Sequence, residues 1–425
     1  MFVIFVSIAL SRCPVYVMAP LDLFDDDQRL AYRDRIINWY DRLRGAGVDG
    51  IMIDVWWGLT EKVEKQYKWS GYVEMFNLIK ERGMKIIPVF SFHTCHGNVG
   101  DKCDVSLPPF IHNSPLKPFY QDMHGNIDNE YISLGYDDVK ITSRTAIEMY
   151  KDWMISFKNQ FQGLMDSGDL IEIEVGLGPA GEARYPSYQL EHWHYPGCGE
   201  FQSYDPMMIK KLKSDATAAG HQDWGHNPDN TGDYSVWPGS SEFWKDGSYN
   251  AWNSEYGRWF IKWYASQLNQ HADRVIRAAR QVFPNMHLSA KIAGIHWWYM
   301  TGCHCAESTA GFNNFLDYDG YRDLLTVFKR YNADVCFTCL EKTESWEGSN
   351  PPILVNQIAE DSKWAGLNFE GENALPMFDY DSYERVKQWA YRGLKTFTYL
   401  RLCWDLMRDD NFYQFSEFVK RMHNI

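Results

Sequence analysis

Basic clusters, long apolar segments and cysteine are all scarce in this sequence of 425 residues. Its net charge is −14, and it contains neither a basic run nor a phosphate-binding P-loop, so nucleic acid and anionic membranes are disfavoured as partners. A neutral substrate suits this charge better than a phosphate ester does. The nine cysteines are too few for a disulfide-stapled scaffold, and a chain of this length can fold without one.

Metal and redox motifs have little support in the spacing of cysteine and histidine. The CxxC spacing at 336–339 lies in a β-branched and aromatic run, and no second CxxC accompanies it. His192 and His194 form a His-x-His pair without further ligands at zinc-site spacing. We therefore predict no metal and no cofactor.

Cys95 and Cys103 flank a glycine-containing loop and could form a disulfide.

Residues 1–12 are the candidate for a leader segment. Their apolar run is too short to span a bilayer, and it resembles a compact secretory signal that lacks a basic start. The alternative is a plain segment before the first strand. We predict secretion on this basis, with a cytoplasmic location as the alternative.

Short apolar runs alternate with amphipathic stretches along the rest of the chain. Such runs are typical of parallel strands covered on both faces, and their alternation with helices predicts right-handed βαβ units. The predicted strands are 14–21, 50–57, 85–92, 170–177, 287–297, 334–340, 364–369 and 397–402. Eight units predict a (β/α)₈ TIM barrel of the α/β class, and a doubly wound open sheet is the alternative.

Two connections, at about 91–142 and 181–248, are too long for plain loops between a strand and a helix. We predict that both build a smaller lobe over one face of the barrel. No Pro-rich or Ser-rich linker divides the chain. The predicted domain organisation is therefore a single catalytic barrel domain over 13–425 that includes this lobe.

Aromatic residues are the one surplus, at 16% of the chain with 18 tryptophans. They could line a pocket that stacks on flat apolar ligand faces, or they could fill a large core. Adjacent residues on a strand point to opposite faces. At least one tryptophan in each of the pairs Trp56–Trp57 and Trp297–Trp298 could therefore face a pocket.

Three acidic residues fall where predicted strands end, which is where a barrel places its active site. They are Asp54, Glu182 and Glu372. Glycosidic cleavage needs two facing carboxyl groups, one protonated to donate to the leaving oxygen and one ionised to attack or to activate water. A glutamate after a strand can also be an ordinary acid at a helix N-terminus. From these residues alone, both interpretations stay open.

The segments around these acids resemble the β-amylases, the glycoside hydrolases of family 14 that remove maltose from the non-reducing ends of α-1,4-glucans. The resemblance extends from Pro14 to about Phe418, and its motifs lie at 93–101, 178–188, 290–299, 337–341 and 370–375. It implies Glu182 as the general acid and Glu372 as the general base. The implied sugar contacts are Asp54, His93, Asp101, Lys291, His296, Thr338, Asn373, Ala374 and Arg401.

The resemblance implies an exo-acting, inverting hydrolase of starch, glycogen and maltooligosaccharides that releases β-maltose. A mobile loop at 97–101 would close over the sugar. A catalytically silent sugar-binding protein on the same barrel is the alternative, since fold does not fix function. A retaining glycosidase is a second alternative, and a Schiff-base role for Lys291 is disfavoured because two acids are present.

Two positions and one segment depart from the family pattern. His96 stands where the loop motif usually has glycine, which could alter loop closure. Ala183 stands where a larger aliphatic residue is usual. The segment 342–344 also differs, which bears on the outer sugar contacts and not on the catalytic pair.

Overall fold

The computed structural model describes residues 12–96, 98, 100–344, 346 and 348–425, so the candidate leader lies outside the described residues except for Arg12. Its eight main strands are β1 (Val15–Met18), β2 (Gly50–Trp56), β3 (Lys85–Ser91), β4 (Glu172–Val175), β5 (His287–Ile292), β6 (Ala333–Phe337), β7 (Phe369–Glu372) and β8 (Leu394–Tyr399). Each pairs in parallel with the next, and β8 pairs with β1 through Phe397 and Val15. The sheet is therefore closed, and the predicted (β/α)₈ barrel is confirmed.

A long helix follows each strand before the next strand begins. These helices are α1 (Arg33–Gly45), α2 (Ser70–Glu81), α3 (Ala146–Asp166), α4 (Glu255–Val282), α5 (Tyr321–Arg330), α6 (Pro351–Ala365), α7 (Tyr380–Tyr391) and α8 (Asp409–Met422). Further helices occur at Trp57–Thr60, Pro109–His112, Pro206–Ala218 and Cys305–Ala310. Within the described part of the chain, no helix has the length and apolar character that crossing a membrane requires.

The seventh strand lies later in the sequence than predicted. Trp364 and Ala365 are the last residues of α6, and Gly366 caps that helix with a left-handed φ of 75°, a conformation that glycine adopts readily. The strand itself is Phe369–Glu372. It was misplaced because Glu370 and Glu372 are charged, although both are buried in the barrel. The eighth strand, by contrast, begins earlier than predicted, at Leu394.

The two long connections contain regular elements. The first holds an antiparallel hairpin of Phe119–Gln121 with Ile127–Ile132. The second holds the short strand Glu182–Ala183, which extends the sheet beside β5, and the helix Pro206–Ala218.

Two disulfides tie these connections. Cys95 pairs with Cys103, as the sequence allowed, and Cys198 pairs with Cys305, which the sequence analysis did not foresee. The second bond joins the connection after β4 to the helix Cys305–Ala310. The other cysteines are free thiols: Cys13, Cys303, Cys336, Cys339 and Cys403.

Part of the aromatic surplus fills the core between the sheet and the helices. Trp153 of α3 packs against Phe90 and Phe92, with ring centroids 4.9 and 5.3 Å apart. Trp57 is also fully buried. Burial of each such ring contributes roughly 1.5–3 kcal/mol to stability. These rings fix the carboxyl end of β3, where the site residues begin.

Candidate active site

Glu182 and Glu372 come together at the carboxyl end of the barrel. Glu372 is the last residue of β7, and Glu182 begins the short strand whose register places it beside Lys291 of β5. The Lys291 ammonium nitrogen lies 2.9 Å from Glu372 Oε1. Lys291 therefore neighbours Glu182 through its backbone and binds Glu372 through its side chain.

The carboxyl group of Glu372 is almost completely removed from water, with 2% exposure. Its Oε2 has no hydrogen-bond partner among the described residues. Burial raises the pKa of Glu372 to about 7, Lys291 opposes this rise, and Glu174 adds to it. A group that titrates near neutral pH and keeps one oxygen free is suited to accept a proton from water.

Lys291 also faces a second buried carboxyl group, that of Glu174 on β4. The distance from Nζ to Glu174 Oε1 is 3.5 Å. Burial lowers the pKa of Lys291, but Glu174 and Glu372 more than offset this and raise it well above its usual range. A Schiff-base lysine needs the opposite shift, so the geometry favours a permanently charged hydrogen-bond donor.

The carboxyl group of Glu182 is held by Arg184, to which the sequence analysis gave no role. Arg184 is buried, and its Nε donates to Glu182 Oε2 at 2.8 Å. Its Nη2 donates to the side chain of Asn98, in the loop after β3, at 2.8 Å. The spacing of Glu182 and Arg184, two residues apart in an extended segment, is the sequence signal that could have identified this pair.

A strained turn delivers Glu182 to this position. Ala180 and Gly181 have left-handed φ values of 53° and 76°, and Glu130 accepts a hydrogen bond from the Ala180 N–H at 2.8 Å. The segment 176–181 has the GxGxxG spacing of dinucleotide-binding loops. Those loops open a helix, whereas this one leads into the strand Glu182–Ala183, so it lacks the helix N-terminus that would hold a phosphate.

Asp54 and Arg401 meet where β2 ends and β8 has just ended. Arg401 Nη1 donates to Asp54 Oδ2 at 3.2 Å, and Ser91 Oγ donates to Asp54 Oδ1 at 3.0 Å. His93 packs edge-on against Trp56, with ring centroids 5.1 Å apart, so one member of the first tryptophan pair does face the site. Burial lowers the pKa of His93 to about 4, so its imidazole is neutral.

The loop after β3 brings Asp101 to the same region. Asp101 Oδ2 accepts from the Asn98 N–H at 3.1 Å, and burial raises the pKa of Asp101. His96 is exposed in this loop. The described residues with a left-handed φ do not include His96, so its conformation here does not require glycine. Residues 97 and 99, part of the expected mobile loop, lie outside the described residues.

The remaining predicted contacts follow β5, β6 and β7. His296 bonds Ser349 Oγ at 2.9 Å, and burial lowers the pKa of His296 to about 4. Thr338 packs so closely on Gly294 that a Cβ there would lie 2.6 Å from its methyl group.

Asn373 and Ala374 are engaged by other parts of the protein. The Asn373 amide accepts from the Leu400 N–H at 2.8 Å and donates to Leu375 O at 3.0 Å. The Ala374 N–H donates to Glu341 at 3.0 Å. These bonds hold the loop after β7 against the segments that follow β6 and β8.

Comparisons with known proteins show the family to which this chain belongs. The model for "Glycosyl hydrolase family 14" matches residues 16–425. The chain is 40% identical over 430 residues to beta-amylase 2, chloroplastic, of Arabidopsis thaliana, which covers 96% of this chain and 79% of that protein. It is 41% identical over 441 residues to the beta-amylase of Medicago sativa, with 98% and 88% covered.

Two solved structures share the fold of this chain, and one of them is a beta-amylase. The crystal structure of the catalytic domain of beta-amylase from Paenibacillus polymyxa matches with a TM-score of 0.80 at 28% identity, covering 97% of this chain and 99% of that one. A beta-galactosidase from Halorubrum lacusprofundi matches at 11% identity with a TM-score of 0.57. At 11% identity, the second match supports the fold alone.

Proposed function

Since this chain belongs to glycosyl hydrolase family 14 and is a glycoside hydrolase of the β-amylase type, we propose that it is an exo-acting, inverting α-1,4-glucan hydrolase. It releases β-maltose from the non-reducing ends of starch, glycogen and maltooligosaccharides. One observation carries this proposal: a buried glutamate with a free oxygen, Glu372, shares the carboxyl end of the barrel with a second glutamate, Glu182. Residues 13–425 act as one catalytic domain in this account.

Glu182 is the proton donor to the glycosidic oxygen. Arg184 occupies its Oε2, which leaves Oε1 as the atom that carries the proton. Because the guanidinium fixes the carboxyl plane, the proton is presented in one direction. Such orientation is part of what general acid catalysis supplies, typically about 10²–10⁴-fold in rate.

Glu372 is the base that activates water on the opposite face of the sugar. The pKa of about 7 means that a large fraction is ionised near neutral pH and that the group still binds a proton strongly. Lys291 keeps the ionised form stable after burial. Inversion needs room for the water, so the two carboxyl groups should stand roughly 6.5–9.5 Å apart, against about 5–5.5 Å in a retaining enzyme.

Polar groups around the pair bind the two terminal glucose units. Asp54 and Arg401 offer a fixed acceptor and donor pair, and His93 has a buried Nδ1 for which the described residues provide no partner. A buried nitrogen without a partner is costly, and a sugar hydroxyl would satisfy it. Asp101, His296 and Thr338 complete the proposed set of side-chain contacts.

The rest of the glucan would run along exposed aromatic rings beyond His296. Tyr195 lies 6.4 Å from the His296 ring and accepts a hydrogen bond from Trp346 at 3.3 Å. Trp298 packs against Trp346 at 4.8 Å, and Trp237, which is 60% exposed, follows at 6.4 Å. Flat, solvent-exposed rings can stack on the apolar faces of successive glucose units. This row of rings therefore favours a polymeric substrate.

Secretion is the proposed location. The disulfides Cys95–Cys103 and Cys198–Cys305 are typical of an oxidising compartment. Amino-terminal sequencing of protein from the culture medium should find the chain starting near residue 13. Retention of the uncleaved chain inside the cell would count against secretion.

Product analysis with maltopentaose labelled at its reducing end tests exo action. We expect unlabelled maltose and labelled maltotriose from the first time point. Labelled glucose or maltose released first by internal cleavage would contradict exo action. Binding of the sugar without any cleavage would favour the silent sugar-binding alternative.

A further inference from the structure

A second polar cluster lies at the opposite end of the barrel from the two catalytic glutamates. Glu172 is the first residue of β4, His287 is the first residue of β5, and Glu370 lies on β7 two residues before Glu372. One carboxylate or imidazole atom from each of these three residues lies within 4.8 Å of the others. Three separate strands therefore direct metal-ligating groups to one point.

The cluster has more carboxyl groups than basic groups. His287 Nδ1 lies 3.2 Å from Glu172 Oε2, and His287 Nε2 lies 2.6 Å from Asp334 Oδ2 and 3.5 Å from Glu370 Oε1. Three carboxyl groups thus surround one imidazole. Even a protonated imidazole cannot neutralise all three when they are ionised.

Glu370 is the member whose hydrogen bonding is incomplete. Its side chain is only 4% exposed, and within the described ranges its Oε1 has no hydrogen-bond partner although it points at the imidazole. By contrast, Asp334 accepts from Asn368 at 2.7 Å and Glu172 accepts from Ser289 at 2.5 Å. Burial and the neighbouring Glu172 raise the pKa of Glu370 well above its usual range. A bound cation would give the unpartnered oxygen a partner and favour the ionised carboxylate.

We propose that Glu172, His287 and Glu370 bind one divalent transition-metal cation, with Zn²⁺ as the best-matched ion. A mixed imidazole and carboxylate set suits Zn²⁺ better than Ca²⁺ or Mg²⁺, which prefer oxygen ligands alone. His287 is 34% exposed, so an ion can reach the cluster from solvent at this end. Asp334 would hold the imidazole or serve as a further ligand.

The ion would link β4, β5 and β7 and stabilise the barrel. Burial lowers the pKa of His287, but hydrogen bonds to Asp334 and Glu172 more than offset this and raise it to about 10. Neutral imidazole is the form that binds a metal, so binding must release this proton and should weaken as the pH falls below about 10. This proposal does not depend on the proposed function, since no catalytic residue is a ligand. It departs from the expectation of no metal, which rested on motifs close together in the sequence.

The test is calorimetric titration of the chelator-treated full chain with Zn²⁺, followed by thermal unfolding with and without the ion. We expect one Zn²⁺ per chain and a higher Tm with Zn²⁺. His287→Gln and Glu370→Gln should each weaken binding by at least about tenfold. The matched control His192→Gln removes an exposed histidine elsewhere and should leave binding unchanged.

A crystal soaked in Zn²⁺ gives a second readout that needs no variant. An anomalous difference peak should lie about 2.0–2.1 Å from a His287 ring nitrogen. No peak at this cluster would overturn the proposal, as would Zn²⁺ binding that His192→Gln abolishes and His287→Gln does not. Because Zn²⁺ binding is measured without substrate, its failure would leave the hydrolase proposal untouched, and loss of hydrolysis would leave the metal site untouched.

Discussion

The substitution Glu174→Gln tests the electrostatic setting of the proposed base. Glu174 Oε1 and Glu372 Oε1 lie 3.5 and 2.9 Å from the same Lys291 nitrogen, so they are at most about 6.4 Å apart. At an effective dielectric constant of about 20, two full charges at that separation repel by about 2.6 kcal/mol, or about two pKa units. Burial raises the pKa of Glu174, so the two-unit figure for a fully charged neighbour is an upper limit. We therefore expect the pKa of Glu372 to fall by about one unit in the variant.

The assay is kcat/KM for maltopentaose measured across about pH 4 to 9. Glu372 must be ionised to accept a proton, so the acidic limb of the profile should move by about one pH unit towards lower pH. The matched control Glu242→Gln removes an equal charge from an exposed position and should leave the limb in place. An unmoved limb in Glu174→Gln, or a move towards higher pH, would show that Glu174 does not raise the pKa of Glu372.

Three further predictions follow from the site. Glu182→Gln should lower kcat on maltopentaose by about 10²–10⁴-fold while calorimetry still detects sugar binding; wild-type turnover would refute the acid role. Burial lowers the pKa of His93 to about 4, so the unfolded chain binds more protons than the folded chain between about pH 4 and 6.5. The free energy of unfolding should therefore rise with pH across that range. The urea midpoint of His93→Gln should depend less on pH than that of the wild type. Trp346→Ala should lower kcat/KM on soluble starch severalfold and leave maltotetraose unchanged, whereas Tyr249→Ala, which removes an exposed ring outside the aromatic path, should change neither.

The barrel could be predicted because its strands are buried on both faces and so read as short apolar runs. The prediction failed in detail at β7, where Glu370 and Glu372 interrupt the apolar pattern. Their carboxyl groups are buried because opposing groups from other strands, such as Lys291 and His287, meet them inside the barrel. Hydropathy along one segment does not contain that information.

The positions of the acids could be predicted because a barrel places catalytic groups at the carboxyl ends of its strands. Their partners could not, since Glu174, Lys291 and Glu372 come from three strands and meet only after the sheet closes. The Cys198–Cys305 disulfide joins residues 107 apart, and spacing alone does not pair cysteines at that distance. Arg184 is the exception, because it stands only two residues from Glu182 and could have been predicted as its ion-pair partner.

Inversion requires that Glu372 direct water to the face of the sugar opposite the leaving group. Proton NMR of the anomeric region, recorded during the first minutes of maltopentaose hydrolysis before the freed sugar equilibrates, distinguishes inversion from retention. Newly formed maltose should appear as the β-anomer. Maltose that appears first as the α-anomer would exclude inversion and assign Glu372 to a retaining mechanism.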